Sequence, residues 1–105
     1  MKKSETVLLA TETAADRLES LGNSTRLAIF KLLVKAGDQG LAVGELQAKL
    51  EIPGSTLSHH LSHLAQRDLI YQRREGRILR CVANYLVMNE LVNFLTVECC
   101  TGFGE

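Results

Sequence analysis

Apolar residues recur at helical spacing in five stretches of the chain, and two short extended runs lie between the fourth and the fifth. The predicted helices cover residues 6–20, 25–35, 43–50, 53–67 and 85–98. The predicted strands cover residues 69–74 and 77–83, on either side of Glu75-Gly76, a hairpin turn signal. A short extended step at Leu41-Ala42 would add a third strand. The sequence therefore predicts a mostly α fold of the α+β type, with five helices and a sheet of two to three strands.

The helix predicted over residues 53–67 has an unusual polar face. Leu57, Leu61 and Leu64 share the opposite face, which we expect to pack inward. The polar face consists of short or planar hydrogen-bonding groups, with no carboxylate before Asp68: Ser55, Thr56, Ser58, His59, His60, Ser62, His63 and Gln66. Solvated helix faces usually carry glutamate and lysine, whereas short donors and acceptors suit contact with phosphates and base edges in a DNA major groove. Taken alone, the face is equally typical of an ordinary polar surface.

The flanking segments favour the DNA-binding interpretation. Residues 43–50 form another short amphipathic stretch, and Pro53 disfavours a helical conformation at the residue before it, so the two helices are separated by a turn. Two short helices joined by a tight turn predict a helix-turn-helix, with residues 53–67 as the recognition helix. The hairpin that follows is basic at its tip and predicts a wing that reaches phosphate or minor groove. Its cations are Arg73, Arg74, Arg77 and Arg80, opposed only by Glu75.

Length, hydropathy and charge limit the class of protein. At 105 residues, the chain is predicted to be a single domain over residues 1–105. It has no apolar run long enough to cross a membrane, and the run at residues 7–10 is too short for a secretory signal, so we expect no membrane partner and a cytoplasmic location. The net charge is zero, but residues 55–80 contain five arginines and two carboxylates, a local balance of +3. This distribution is typical of a site-specific DNA-binding protein.

The first and last predicted helices carry more apolar surface than one small domain covers. We therefore expect them to form the interface of a homodimer, which would place two recognition helices on successive major-groove faces of a double-stranded DNA operator. In the second helix, Leu27 is predicted to point inward and Arg26 outward. Arg17 is counted among the polar residues of the first helix.

Three short motifs follow one another along the chain: LGNSTRL at residues 21–27, STLSHHL at residues 55–61 and RREGR at residues 73–77. With these motifs in this order, nearly the whole chain resembles the ArsR/SmtB family of dimeric winged helix-turn-helix repressors. The resemblance implies a protein that represses a promoter until an inducer binds. It also implies DNA contact by Ser55, Thr56, Ser58, His59 and His60. Gly54 departs from the family pattern, in which a glutamine that can read a base is frequent.

The resemblance does not supply the inducer, because members of the family sense through different side chains. The arsenic pattern of a Cys-x-Cys pair in the first helix of the helix-turn-helix is absent from residues 43–50. The zinc pattern of Asp and His pairs in the last helix is absent too. His59 and His63 are one turn apart and could in principle hold a metal, but their face is the one assigned to DNA.

Cysteine remains as the candidate inducer ligand. Cys99 and Cys100 are adjacent at the end of the last helix and suit a thiophilic ion, with As(III) or Sb(III) as the leading choice, like the arsenic-responsive branch of the family. Arsenite prefers three sulfurs, so a third would come from Cys81, a partner subunit or a small thiol. Cys81, in phase with Leu79 and Ala83, is more typical of a small buried hydrophobe.

Other roles for the vicinal pair stay open: a thiol redox or reactive-sulfur switch, a site for another soft metal, or no role. We expect no permanently bound cofactor. A small thiol oxidoreductase is disfavoured because no Cys-x-x-Cys and no flanking base are present, so no catalytic residue is predicted. A winged helix used only for protein contact is disfavoured by the carboxylate-free helix face and the arginines of the wing.

Overall fold

The computed structural model describes residues 9–103, which form five helices, one short 3-10 turn and three strands. In chain order they are α1 (Thr11–Leu21), α2 (Ser24–Ala36), the turn Gly37–Gln39, β1 (Leu41–Ala42), α3 (Val43–Leu50), α4 (Gly54–Gln66), β2 (Ile70–Glu75), β3 (Ile78–Ala83) and α5 (Tyr85–Thr96). The predicted fold class is confirmed: α3 and α4 form the helix-turn-helix, and β2 and β3 form the wing. No helix among the described residues is long and apolar enough to cross a lipid bilayer.

Local capping interactions determine where several helices begin and end. The side chain of Asn23 accepts a hydrogen bond from the backbone N–H of Arg26 at 3.0 Å and caps α2. Asn84 caps α5 in the same way, through the N–H of Val87 at 3.3 Å. At the end of α3, Glu51 adopts a left-handed conformation with φ of 55°, and Pro53 then holds the chain extended before α4. The connection between the two helices is therefore a tight turn.

The predicted element boundaries need small corrections. The first helix was expected from residue 6, but α1 begins at Thr11; residues 6–8 lie outside the described part of the chain. The last helix was expected to reach residue 98, whereas α5 ends at Thr96 and a turn follows. Helix ends are set by individual capping contacts, which hydrophobic periodicity does not encode.

The sheet is antiparallel, with β3 between β1 and β2. β2 and β3 pair from Ile70 opposite Ala83 to Glu75 opposite Ile78, and Gly76 makes the turn with φ of +64°. The short strand expected at residues 41–42 is present, with Leu41 opposite Cys81. This third strand ties the base of the wing to the start of α3.

The core lies between α2, the helix-turn-helix and the base of the wing. Leu57, Leu61 and Leu64 of α4 are at most 3% exposed and pack in one apolar cluster with Ile29 and Leu33 of α2. The inward leucine stripe is therefore confirmed. Burial of three leucines on one face contributes several kcal/mol, at about 1.5–3 kcal/mol for each side chain, and determines which face of α4 is left for other contacts.

Two arginines that were expected among the solvated residues are buried. Arg17 is 9% exposed and Arg26 is 8% exposed, whereas Leu27, expected inside, is 45% exposed. Arg26 lies in the same helical row as Ile29 and Leu33, so burial of that row carries it inward. Its Nε donates to the backbone oxygen of Ser20 at 2.7 Å, and this charge-assisted hydrogen bond offsets part of the cost of desolvation.

Gly40 is required by the packing of β1 against β3. Its φ is +62°, and a Cβ added there would lie 2.1 Å from the backbone oxygen of Cys81. We predict that Gly40→Ala lowers the free energy of unfolding by roughly 2 kcal/mol or more, because either the backbone or the strand pairing must shift. Urea denaturation measures the change. Gly44→Ala is the matched control, since nothing lies within 4 Å of that Cβ and the site is helical; equal losses in the two variants would refute the steric explanation.

Candidate nucleic-acid interface

α4 turns one uncharged polar surface to solvent. Its exposed members are Ser55, Thr56, Ser58, His59, Ser62 and Gln66. Within this set, Gln66 Nε2 donates to Ser62 Oγ at 3.4 Å, and the helix contains no Asp or Glu. Most of these donors and acceptors therefore remain available to a ligand on this side of the helix. Their contact with DNA stays a prediction, and the exposure of the set favours it.

His60 and His63, which were predicted to share that surface, lie on another side of α4. The ring of His63 contacts Ser20 Oγ through Nδ1 at 2.8 Å, and its Nε2 lies 3.9 Å from Glu19. His60 Nδ1 is 3.4 Å from Nη1 of Arg26. Both rings therefore pack against the α1–α2 junction. Residues of α1 and α2 lie against this side of α4, which accounts for the packing of both rings.

The same surroundings keep both histidines neutral near pH 7. Burial lowers the pKa of His60, and the neighbouring positive charge of Arg26 lowers it further. Burial also lowers the pKa of His63, with additional lowering by Arg26 and Arg67 that outweighs the opposing effect of Glu19. A neutral imidazole has one donor and one acceptor nitrogen, which suits a contact with a hydroxyl group. The two rings are thus uncharged contacts between α4 and the α1–α2 junction.

Arg17 connects three elements from its buried position on α1. Its Nε donates to the backbone oxygen of Arg67, immediately after α4, at 3.0 Å. Its Nη1 donates to Glu90 of α5 at 3.2 Å, and its Nη2 lies 3.7 Å from Asp68. The guanidinium therefore joins the end of the recognition helix to α5 through α1.

The wing separates its arginines into paired and unpaired groups. Glu75 accepts hydrogen bonds from Arg73 at 3.0 Å and from Arg80 at 2.9 Å, and these bonds lower the pKa of Glu75. Arg74 and Arg77 are exposed and form no ion pair with any residue in the range 9–103. The phosphate contact predicted for these two side chains stays a prediction, and the lack of an ion-pair partner among the described residues favours it. The contact predicted for Arg73 requires competition with Glu75.

An open groove of about 410 Å³ separates α4 from the wing. Ser58, Ser62 and Gln66 of α4 lie on one side of it, and Gln72 and Leu79 of the hairpin lie on the other. The exposed surface of the recognition helix is thus continuous with the wing. One ligand can contact both, as an extended nucleic acid would.

The cysteines fall into two separate environments. Cys81 is fully buried in β3 and accepts a 3.5 Å hydrogen bond from Gln72 Nε2; burial raises the pKa of its thiol. Cys99 and Cys100 are exposed beyond α5, with their sulfurs 3.1 Å apart, and their mutual hydrogen bond raises the pKa of Cys99. The described residues contain no group of three or more His, Cys, Asp or Glu side chains placed to hold a metal ion. The structure therefore brings together the vicinal pair but leaves Cys81 inside the core.

Known proteins with this arrangement are regulators of transcription. A helix-turn-helix domain model matches residues 21–73. The putative arsenical resistance operon repressor ArsR of Halobacterium salinarum is 35% identical over 68 residues, which are 65% of this chain and 52% of that protein. This chain thus matches only about half the length of that relative.

Solved structures extend the similarity over most of the chain. HlyU from Vibrio cholerae, a transcriptional activator, is 31% identical with a TM-score of 0.64, covering 92% of this chain and 99% of HlyU. The fold is also that of a homodimeric winged helix-turn-helix DNA-binding domain from Mycobacterium bovis, a possible ArsR-family regulator, at a TM-score of 0.67, 24% identity and coverage of 82% and 78%. This chain belongs to the ArsR/SmtB family. It is a winged helix-turn-helix transcriptional regulator.

Several residues that position the candidate interface of this ArsR-family regulator were not predicted from the sequence to do so. Arg17 and Arg26 were assigned to the solvated faces, and Ser20 was given no role. A signal existed, because Arg17 follows Ala14 and precedes Leu21 at the spacing of a buried row. The bonds to Arg67 and Glu90 join residues far apart in the chain, and no local pattern indicates them.

The partly buried histidines His60 and His63 predict that acidification destabilises the fold. Because the folded-state pKa values of His60 and His63 lie below the unfolded value of 6.5, the unfolded protein binds more protons on acidification. Their stabilising contribution is fully present above that pH and is lost as the pH falls through it toward the lowered values. We expect the free energy of unfolding, from urea denaturation, to decrease between about pH 7.5 and pH 5.5.

Substitution of one ring tests this assignment. His63→Gln should flatten the pH dependence, because the amide can still contact Ser20 but does not titrate. His59→Gln, at an exposed position on the same helix, is the matched control and should retain most of the wild-type dependence, because His59 makes only the smallest contribution to lowering the two pKa values. A variant of His63 with the full wild-type slope would contradict the assignment.

Proposed function

We propose that this ArsR-family regulator is a homodimeric repressor that binds an operator through α4 and the wing and is released by an inducer at Cys99 and Cys100. The observation that carries the DNA-binding part is the exposed, carboxylate-free surface of α4 beside the unpaired Arg74 and Arg77. A surface with donors and acceptors on the helix and cations on the adjacent hairpin matches base edges and the flanking phosphates.

Exposed apolar side chains support the homodimer. α5 exposes Leu86, Val92 and Leu95 by 71%, 55% and 62%, and α1 exposes Leu18 by 40%. These two helices were predicted to form the interface, and the domain from Mycobacterium bovis with the same fold is homodimeric. Pairing of these faces would remove apolar area from water and orient two recognition helices about one two-fold axis.

Arsenite or antimonite is the proposed inducer, on the chemistry of the vicinal pair. Two thiols with sulfurs 3.1 Å apart can each replace one hydroxyl of arsenous acid; an As–O bond breaks, an As–S bond forms, and the thiol proton leaves with the hydroxyl as water. The residues fit two of the three sulfur positions that arsenite favours. Because Cys81 is 0% exposed, the third sulfur would come from the partner subunit or a small thiol rather than from this core cysteine. The relative from Halobacterium salinarum is a putative arsenical resistance repressor, which supports this ligand class.

The contacts of Arg17 provide a physical route from the cysteines to the DNA surface. Cys99 and Cys100 follow α5, Glu90 of α5 receives a hydrogen bond from Arg17, and Arg17 also holds the end of α4. A shift of α5 upon ligand binding would change this bond or move α1, and either change alters the position of the recognition helix. The coupling therefore requires no contact between the inducer and α4.

A thiol redox switch is the second candidate. HlyU, which is similar over most of this chain, has been solved in a reduced form. Cys99 and Cys100 are exposed reduced thiols, so an oxidant such as hydrogen peroxide could convert them to a disulfide with release of two water molecules for each peroxide. The raised pKa of Cys99 disfavours rapid oxidation, because the thiolate is the reactive form.

If Cys99 and Cys100 form the inducer site, their substitution should affect release by the inducer but not DNA binding. Cys99→Ser with Cys100→Ser should leave operator affinity unchanged and abolish release by arsenite, as measured by fluorescence anisotropy of the reduced protein on a labelled fragment from its own upstream region. Cys81→Ala is the control and should still be released. Release from the double serine variant would place the inducer site elsewhere; release of the wild type by peroxide alone, reversed by reductant, would select the redox switch.

The wing predicts a specific salt dependence. Arg74→Ala and Arg77→Ala should each weaken binding to all DNA sequences and reduce the slope of log K against log salt by roughly one unit, because each removes one phosphate contact. Arg73→Ala serves as the comparison and should have a smaller effect, since Glu75 already pairs with that side chain and competes with a phosphate for it. Unchanged slopes for Arg74 and Arg77 would exclude the wing from the interface.

A further inference from the structure

A groove on the opposite side of the helix-turn-helix is distinct from every surface assigned above. It has a volume of about 820 Å³ and lies between α2 and α3, where Ala28, Leu32, Val34 and Leu50 provide apolar lining. A smaller cavity of about 200 Å³ shares Leu32 with it and continues toward Leu41 of β1. No residue of α1, α4, α5 or the β2–β3 hairpin lines either cavity. The two cavities thus form one apolar groove, which we call the α2–α3 groove.

The rim of the α2–α3 groove collects all the lysines of the described chain. The sequence has five lysines, at positions 2, 3, 31, 35 and 49, and the three within residues 9–103 all line the groove. Lys31 and Lys35 stand one turn apart on α2, and Lys49 faces them from α3. Each is exposed, and none forms an ion pair with another described residue. A protein with zero net charge thus has a cationic rim on both sides of one apolar groove.

We propose that the α2–α3 groove binds an acidic amphipathic helix of a partner protein. The apolar floor matches an apolar helical stripe, and lysines on both rims match carboxylates on the two sides of that stripe. Lysine suits this task because it is a flexible point charge, whereas the arginines of the chain lie in the contacts between α1, α2 and the end of α4 or on the wing.

Two features favour a peptide helix over a small anionic amphiphile. The groove is open along the α2–α3 surface rather than enclosed, whereas small-molecule sites bury most of the ligand surface. A single carboxylate would also use only one of three lysines that lie on two rims. The groove stays accessible in the proposed DNA-bound dimer, since α4 and the wing would contact DNA and α1 and α5 would contact the second copy.

A synthetic peptide provides the test. The probe is a fluorescein-labelled peptide of the same length as α2, with leucines at the i, i+3, i+4, i+7 spacing and glutamates at most other positions. Its control has the same composition in an order that breaks the apolar stripe. Anisotropy titration with the full-length protein should show saturable binding of the amphipathic peptide and at least about tenfold weaker binding of the scrambled one.

Two kinds of variant locate the binding site. Lys31→Glu with Lys35→Glu should weaken peptide binding about tenfold or more, because two attractions become repulsions, and should leave the urea midpoint unchanged. Ala28→Glu places a carboxylate in the groove and should also weaken binding. Its matched control is Ala48→Glu, an identical change at an exposed α3 position outside the groove, which should have little effect.

Several outcomes would overturn the proposal. No saturable binding of the amphipathic peptide would refute it, as would equal binding of the scrambled peptide or equal effects of the two alanine variants. Displacement of the peptide by dodecanoate, at a concentration no higher than the one at which the peptide binds, would indicate a lipid-like anion as the occupant instead. If the double lysine variant loses operator affinity by the same factor as peptide affinity, the lysines serve DNA phosphates rather than a protein partner.

Discussion

The position of the recognition helix depends on two buried guanidinium groups. Arg26 donates to the backbone oxygen of Ser20 and contacts His60, while Arg17 donates to the backbone oxygen of Arg67. A buried guanidinium is stable only where such acceptors surround it, and loss of one partner leaves an uncompensated charge or carbonyl. The two groups therefore hold α4 in one orientation, whereas the apolar core alone, which is less directional, would tolerate small rotations of the helix.

As a result, α4 has three sides with different contacts. On one side, three leucines are buried in the core. On a second side, His60 and His63 contact the α1–α2 junction. The third side carries the exposed polar set, which is available to a ligand. Because the histidines are neutral near pH 7, they add no repulsion beside Arg26. The same bond of Arg17 that positions α4 also reaches Glu90, so α5 and the recognition helix share one polar connection.

Arginines, lysines and cysteines lie in different parts of the molecule, so its surfaces differ in chemistry. Arginines lie in the contacts between α1, α2 and the end of α4 and on the wing, and the described lysines surround the α2–α3 groove. Cys81 fills the core, while Cys99 and Cys100 are exposed beyond α5. DNA, a second subunit, an inducer and a helical partner would thus each meet a different surface.

The fold could be read from the sequence because its signals are local. The leucine stripe, the break at Pro53, the Glu75-Gly76 turn and even the short strand at Leu41-Ala42 depend on spacing and turn chemistry, and the structure confirms each. The separate environments of the cysteines also followed in part from phase, which indicated a buried Cys81. Which side of α4 each histidine faces, and the burial of Arg17 and Arg26, were decided only by the tertiary structure. Those positions depend on acceptors supplied by distant elements, such as the backbone oxygen of Arg67, fifty residues from Arg17, and no periodicity along the chain encodes such a contact.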